Sequence, residues 1–312
     1  MRMNVFPVRH RIFLFMATLW AMGASGCAVL TPSQVQEVER FAQATKSYDV
    51  LPGAVIEAQA ELRKREKIYA AAGFIPGDTS LAQIEDASAA RQEYQKRADQ
   101  AERLLSVLDE YARLLVALTA DNFTSDLQDE AQKLGERIDR GIGEYNAAYQ
   151  KEFKDFGGII AAGVRGAGGL YIKRRQTLAL REAVTRADPL MEEMTVAVNG
   201  LLDLYLTTSD GEGFIRQTEQ DIKELFLANV QGSMAKQPLY VAIHTAETLE
   251  LAENAYRLAE KARAAIGNLR QSHRALKENL QRKQTLTSAI ETVKVFADEV
   301  GDATVLKKKL SR

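Results

Sequence analysis

The chain has 312 residues and carries 41 Lys+Arg against 42 Asp+Glu, a formal net charge of −1, so it lacks the basic surplus of a nucleic-acid-binding domain. One cysteine and three histidines exclude a disulfide framework and leave little for a transition-metal site. A composition that is 46% hydrophobic and 27% charged, rich in Ala, Leu, Glu, Gln, Lys and Arg and poor in proline, is that of a foldable chain built from helix.

The first thirty residues differ from the rest. Arg2, Arg9, His10 and Arg11 make a cationic start, and Ile12 to Ala24 is an uncharged stretch, IFLFMATLWAMGA. It has the length of the apolar core of a secretory signal and is too short for a comfortable membrane span, which takes about 20 residues. Ala24, Ser25, Gly26 and Cys27 follow. This tetrapeptide resembles the lipobox of bacterial lipoprotein precursors, although that family most often has Leu where this chain has Ala24. The resemblance implies that residues 1–26 are a signal peptide, that signal peptidase II cuts between Gly26 and Cys27, and that Cys27 becomes the first residue, thioether-linked to diacylglycerol and carrying further acyl chains such as palmitate. Ala28, rather than Asp, beside the cysteine implies transfer to the outer membrane, facing the periplasm. The other reading of the same residues is an ordinary signal peptide cut after Ala24 or Gly26, which leaves Cys27 an odd thiol in a secreted protein. Acyl chains contribute about 0.8 kcal/mol per buried methylene, so the lipoprotein reading makes the membrane a permanent partner through Cys27.

Removal of residues 1–26 takes away Arg2, Arg9 and Arg11 and no acid, which lowers the basic count from 41 to 38 and the net charge to about −4. It also takes Trp20, the only tryptophan, and leaves His244 and His273 as the mature histidines. Residues 27–312 read as a single helical-bundle domain.

Thr31, Pro32 and Gln34 have the spacing of a capping box with proline in the first helical position, and Val35, Val38, Phe41 and Ala42 continue at helical spacing. Pro52 and Gly53 are expected to kink or interrupt this helix, which resumes and stops at Gly73. From Leu81 to Ala120, Ile84, Ala87, Tyr94, Ala98, Ala101, Leu105, Leu108, Ala112 and Leu115 form one buried stripe on a long amphipathic helix. After DNFTSD, Ser125 and Gln128 offer another capping box. Leu127, Ala131, Leu134, Ile138, Ile142, Tyr145, Tyr149, Phe153 and Phe156 then repeat the pattern, so the two helices should pack antiparallel. Asp188 and Pro189 read as the start of a helix ending near 207–213, and a further helix spans Gly213 to about Gln231. Leu239 to Val300 contains no proline and is compatible with one helix of about 90 Å. Its apolar content thins between Ser272 and Lys283, where a bend or a projection beyond the bundle is expected. Tyr94, Tyr111, Tyr145, Tyr149, Tyr171, Tyr205, Tyr240 and Tyr256 read as core or interface residues. The expected fold is all-α: an elongated multi-helix bundle with long, coiled-coil-like antiparallel helices.

The glycine-rich segment 156–172, FGGIIAAGVRGAGGLYI, has neither the G-x-G-x-x-G spacing nor the Gly-Lys-Ser/Thr of a phosphate loop. Gly158, Ala162 and Gly166 lie four residues apart and would give a helix a narrow, flat face for close packing. Alternatively, the apolar run with Lys173, Arg174 and Arg175 behind it makes membrane contact, with Arg165 a costly passenger at bilayer depth. His244 and Glu247 stand in the reverse of the Glu-x-x-His order of di-iron bundles. No H-E-x-x-H or G-x-S-x-G occurs. No catalytic residue, cofactor or metal ligand is therefore assigned. Residues 302–312, with Lys307, Lys308, Lys309 and Arg312, read as an exposed basic tail.

The combined expectation is a lipid-anchored envelope protein that acts as a non-enzymatic helical scaffold or adaptor for another envelope protein, with no nucleic-acid partner. The alternative is a membrane-active protein, pore-forming or bilayer-remodelling, that inserts residues 156–172. The third reading is an enzyme whose site the sequence does not display.

Overall fold

The structure, a computed structural model, describes residues 29–72, 79–120, 125–164, 172–208, 211–231, 238–282 and 287–310. Gly26, Cys27 and Gly166 lie outside these residues. Among those described, nine helices make up nearly the whole fold: α1 (Pro32–Tyr48), α2 (Leu51–Ala72), α3 (Thr79–Thr119), α4 (Ser125–Tyr149), α5 (Gly157–Val164), α6 (Ile172–Leu206), α7 (Phe214–Gln231), α8 (Pro238–Gln281) and α9 (Thr287–Leu310). A small antiparallel ribbon, β1 (Thr207–Thr208) with β2 (Gly211–Glu212), joins α6 to α7. The expected all-α helical bundle is what the chain forms.

The 44-residue helix α8, about 66 Å long at 1.5 Å per residue, is the spine. The α1–α2 pair runs antiparallel along it: Gln34 reaches the carbonyl of Asn279, the Tyr48 hydroxyl donates to Ala262 O, and Arg65 reaches Thr248. The pair breaks at Asp49 and Val50, ahead of the expected Pro52–Gly53, because proline is tolerated in the first turn of a helix, and there Pro52 opens α2. Helix α6 is also antiparallel to α8, with Asp188 beside Lys277 and Asp203 beside Arg263. Helix α9 folds back on α8 through Ser272 to Thr292 and Lys261 to Glu299. Along α8 the buried face is narrow, with Ala252, Ala255, Ala259, Ala262 and Ala265 at its close contacts. Small side chains there let several helices approach one spine.

Four expectations about element boundaries are corrected. The stretch from Leu239 to Val300 is two helices and not one, since Val293, Phe296 and Val300 of α9 are buried and a single rod would leave them in water. Asp188 and Pro189 do not start a helix, because α6 begins at Ile172 and carries Pro189 inside it. A proline within a helix costs about 3 kcal/mol, and Ala183, Val184, Ala187, Leu190 and Met191, all buried around it, hold the helix through the defect. The helix containing Tyr149 does not continue to Phe156. Gln150 adopts φ 53°, the Lys151 amide bonds back to Asn146 O, and this Schellman-type reversal ends α4. Asn146 then clamps the returning chain, donating to Phe153 O and accepting from Phe153 N. Residues 302–310, expected as an exposed tail, are the last turns of α9, with Ala303 buried and Leu306 and Leu310 packed on the core.

Candidate functional site

One layer of the bundle concentrates the groups with chemical potential. Phe41 from α1, Tyr111 from α3, Asp188 from α6, His273 and Lys277 from α8 and Phe296 from α9 meet where five helices converge. The His273 ring lies 5.9 Å from both Phe41 and Tyr111, and Phe41 is 5.9 Å from Phe296. Tyr111 Oη is 3.0 Å from His273 Nε2, His273 Nδ1 is 3.2 Å from Asp188 Oδ1, and Lys277 Nζ donates to Asp188 Oδ2 at 2.7 Å.

The electrostatics select one protonation state. Burial holds the His273 pKa below its ordinary value of 6.5 against the opposing pull of Asp188. Asp188 is held well below the usual carboxylate range, first by its hydrogen bond with His273 and then by Lys277, against the cost of burial. Burial, helped by the Asp188 charge, pushes the Tyr111 phenol well above 10.0. The consistent arrangement is a neutral His273 that donates from Nδ1 to ionised Asp188 and accepts at Nε2 from the Tyr111 hydroxyl. Each polar group in the relay of Lys277, Asp188, His273 and Tyr111 then has a partner.

Asp, His and a hydroxyl in sequence resemble the order of a nucleophile triad, but Tyr111 and His273 are fully buried and the phenol is far from ionising. A substrate has no approach to the hydroxyl. The arrangement clasps α3, α6 and α8 at one level, and its chemistry is to be satisfied only when the three are correctly docked.

The other expected positions fall elsewhere. Gly158 is half-buried and Ala162 exposed, so the helix contact in this segment is made instead by Gly157, Phe156 and Ile160, which are buried. A Cβ on Gly157 would stand 2.1 Å from Gly135 O, and one on Gly135 would stand 2.3 Å from Gly157 O. Two backbones cross there. Asp139 completes the crossing from α4 by accepting from the amides of Phe156, Gly157 and Gly158 at 2.9, 2.6 and 2.6 Å, which satisfies the otherwise orphan donors at the start of α5. His244 sits near the surface, with Nδ1 3.2 Å from Glu247. Among the described residues no cluster of three or more His, Cys, Asp or Glu is arranged to hold a metal ion. A shallow hollow of about 230 Å³ opens between α2, α3 and α6 beside Asp49 and Glu102, and a wider groove follows the α8–α9 seam near Lys261 and Asp302.

At the start of α1 the expected capping box is present: Gln34 N donates to Thr31 Oγ1 at 3.2 Å and Thr31 N to Gln34 Oε1 at 3.0 Å. The same Gln34 side chain, buried, donates through Nε2 to Asn279 O at 2.7 Å and to Arg282 O at 3.2 Å. One residue therefore caps the beginning of α1 and the end of α8 together.

His273, Asp188, Lys277, Asp139 and the Gly135–Gly157 pair carry these contacts; the sequence expectations gave Asp188 only the part of a helix start and assigned the others no role. A signal existed for His273: it continues the Leu269, Leu276, Leu280 stripe at steps of three and four, so a polar residue stood on an apolar face.

The class defined by this fold is an elongated all-α bundle locked by a buried polar clasp. The chain matches no protein-family profile, no curated protein and no solved structure.

Proposed function

We propose that the protein is a lipid-anchored envelope protein whose bundle serves as a non-enzymatic scaffold or adaptor for another envelope protein. The observation that carries this reading is the Gln34 double cap. Only Ala28, Val29 and Leu30 separate Cys27 from the Thr31 cap, and Gln34 fastens that cap to the far end of the spine helix. A lipid on Cys27 would be coupled to the whole bundle through a few residues, as suits a platform with a fixed attitude to its membrane. The interior clasp, closed to substrates, is consistent with a protein that presents surfaces.

Insertion of residues 156–172 into a bilayer would require Phe156 and Ile160 to leave the core. Exposing two such side chains costs about 3–6 kcal/mol, and the three amide bonds to Asp139 would be lost in addition. No described helix is long and apolar enough to cross a membrane.

Mass spectrometry of the N-terminal peptide of the cell-derived protein, beside a Cys27→Ser variant, tests the anchor; an acylated Cys27 as first residue is expected. In-cell crosslinking tests the adaptor role, with a discrete heteromeric adduct expected for the wild type and loss of that adduct for Cys27→Ser. An unmodified Cys27 would overturn the anchor. Absence of any adduct that depends on anchoring would overturn the adaptor.

A further inference from the structure

The helix ends sort into two poles, and the polar contacts show which ends belong together. Gln34 ties the start of α1 to the end of α8. Gln176 Nε2 donates to Ala120 O, so the start of α6 lies with the end of α3. Lys277 on Asp188 and Arg263 on Asp203 place the start of α6 toward the end of α8. Ser272 on Thr292 adds the start of α9.

These ends are not level. Measured from the clasp at 1.5 Å per residue, α1 begins about 14 Å away (Phe41 to Pro32), α8 ends about 12 Å away (His273 to Gln281), and α6 begins about 24 Å away (Asp188 to Ile172). The first turn of α6 therefore overhangs the start of α1 by about 10 Å. That turn carries Lys173, Arg174 and Arg175, the two arginines exposed, and Arg282 is exposed at the end of α8. Four residue steps from Thr31 to Cys27 reach at most about 14 Å when extended.

From this geometry, and resting on the lipid-anchor reading above, we propose that the pole where α1 begins lies on the leaflet that holds Cys27, with Lys173, Arg174, Arg175 and Arg282 among anionic phospholipid headgroups. The tether and the overhang have matching lengths, so the cationic turn meets the headgroups when the acyl chains are seated. Attraction between a basic cluster and an anionic surface acts within a Debye length, a distance the tether enforces. The pole is asymmetric. Asp126, Asp129 and Glu130 are exposed at the start of α4, and measured from the Arg137–Glu110 pair, one residue from Tyr111, they lie about 17, 12 and 11 Å out, short of the first turn of α6. The cationic turn of α6 thus reaches the leaflet ahead of the acidic start of α4. The opposite pole, where α9 ends in Lys307, Lys308 and Lys309, faces away.

The test reconstitutes the full-length protein purified from expressing cells into vesicles of phosphatidylcholine, alone or mixed with phosphatidylglycerol. A thiol-reactive dye is placed through Leu178→Cys, near the cationic turn, or Val305→Cys, near the opposite pole; both positions are exposed. A lipid with a headgroup quencher reports proximity. With phosphatidylglycerol present, quenching at Leu178→Cys should exceed that at Val305→Cys by about fivefold or more. The ratio should fall to about twofold or less in the triple variant Lys173→Glu, Arg174→Glu, Arg175→Glu, and in its Gln counterpart. Reversing Lys307, Lys308 and Lys309 to Glu should leave it unchanged. Equal quenching at the two positions, or a ratio insensitive to the α6 charges, overturns the proposal. The acyl mass on the Cys27 peptide is read from the same preparation: an acylated chain with equal quenching refutes this orientation alone, and an unacylated chain that still shows the ratio refutes the anchor alone.

Discussion

Replacing Tyr111 with Phe deletes one oxygen and keeps the ring, including its edge-on contact with Phe156 at 6.3 Å. His273 Nε2 is then left as a buried acceptor, since the His273 side chain is fully enclosed and its other nitrogen is occupied by Asp188. An unmade hydrogen bond at such a site costs about 1–3 kcal/mol. Release of the phenol from its own desolvation offsets a fraction, so a net loss of about 1–2 kcal/mol is expected. Urea unfolding followed by far-ultraviolet circular dichroism should show a lower midpoint at an unchanged slope. The companion experiment is a double-mutant cycle with His273→Phe. Once both polar partners are gone, nothing is left unsatisfied between α3 and α8, and Tyr111→Phe should cost little in that background. The coupling between the two positions should therefore reach about 1 kcal/mol or more. A Tyr111→Phe protein within about 0.3 kcal/mol of wild type, or an equal cost with and without His273, would refute the clasp as a stabilising unit.

The clasp also predicts acid sensitivity in two steps. His273 has a folded pKa below 6.5, so the unfolded chain binds the extra proton first and stability falls as pH drops through about 6.5. Asp188, depressed below 3.8, keeps its contribution above that value and loses it below. The His273→Phe variant should lack the first step in a melting-temperature profile and keep the second only in reduced form, through Lys277, because the His273 hydrogen bond is the largest cause of the Asp188 depression. Glu37 has the opposite sign: burial raises its pKa above 4.5, and Oε2 has no hydrogen-bond partner. Its stabilising form is the protonated one, lost as pH rises through that raised value. Glu37→Gln should thus melt higher than wild type near neutral pH and equal it near about pH 4. Gly157→Ala forces a methyl into the Gly135 backbone and should cost about 1–3 kcal/mol in chemical denaturation, whereas Gly143→Ala, in an exposed helical position with nothing within 4 Å, should gain about 0.5–1 kcal/mol. Gln34→Ala should lower the midpoint by more than Thr31→Ala, whose loss is about 1 kcal/mol, because it uncaps α8 as well.

Helix and fold class were legible in the sequence because they depend on periodicity, which is local. The stripe through Ala131, Leu134, Ile138 and Ile142, all buried, needs no partner to be recognised. The capping box at Thr31 was equally plain, since both of its bonds lie within four residues. What stayed hidden depends on pairings across the fold. The thinning of apolar residues after Ser272 reads as an exposed or projecting segment, yet Ser272, His273 and Asn279 are buried, and their partners are distant in sequence: Thr292, Asp188 and Gln34. Pro189 reads as a start signal because the burial of Ala183, Val184, Ala187, Leu190 and Met191 that holds α6 through it depends on packing against other helices. In the glycine segment, the four-residue spacing drew attention to Gly158, Ala162 and Gly166. The backbone crossing is instead made by Gly157 with Gly135, 22 positions earlier, and no spacing within the segment marks that pair.

Several of the polar contacts join a helix to α8 or close a crossing. Hydrophobic burial along an alanine-faced spine is non-directional, and antiparallel helices of this kind can slide by one turn and still bury their stripes. A shift of α1 by one turn along α8 would move Gln34 about 5.4 Å from Asn279 O and break the double cap. The same shift of α6 would part Asp188 from His273 and Lys277. Register at the pole where α1 begins is thus set by hydrogen bonds, and bulk stability by the apolar stripes. That division matters for the anchored scaffold proposed above. The overhang of α6 beyond α1, and with it the match to the tether, exists in one register only. Under the proposed anchoring, a variant that loosens Gln34 or Asp188 should therefore disturb the attitude of the bundle on the leaflet before it unfolds the protein.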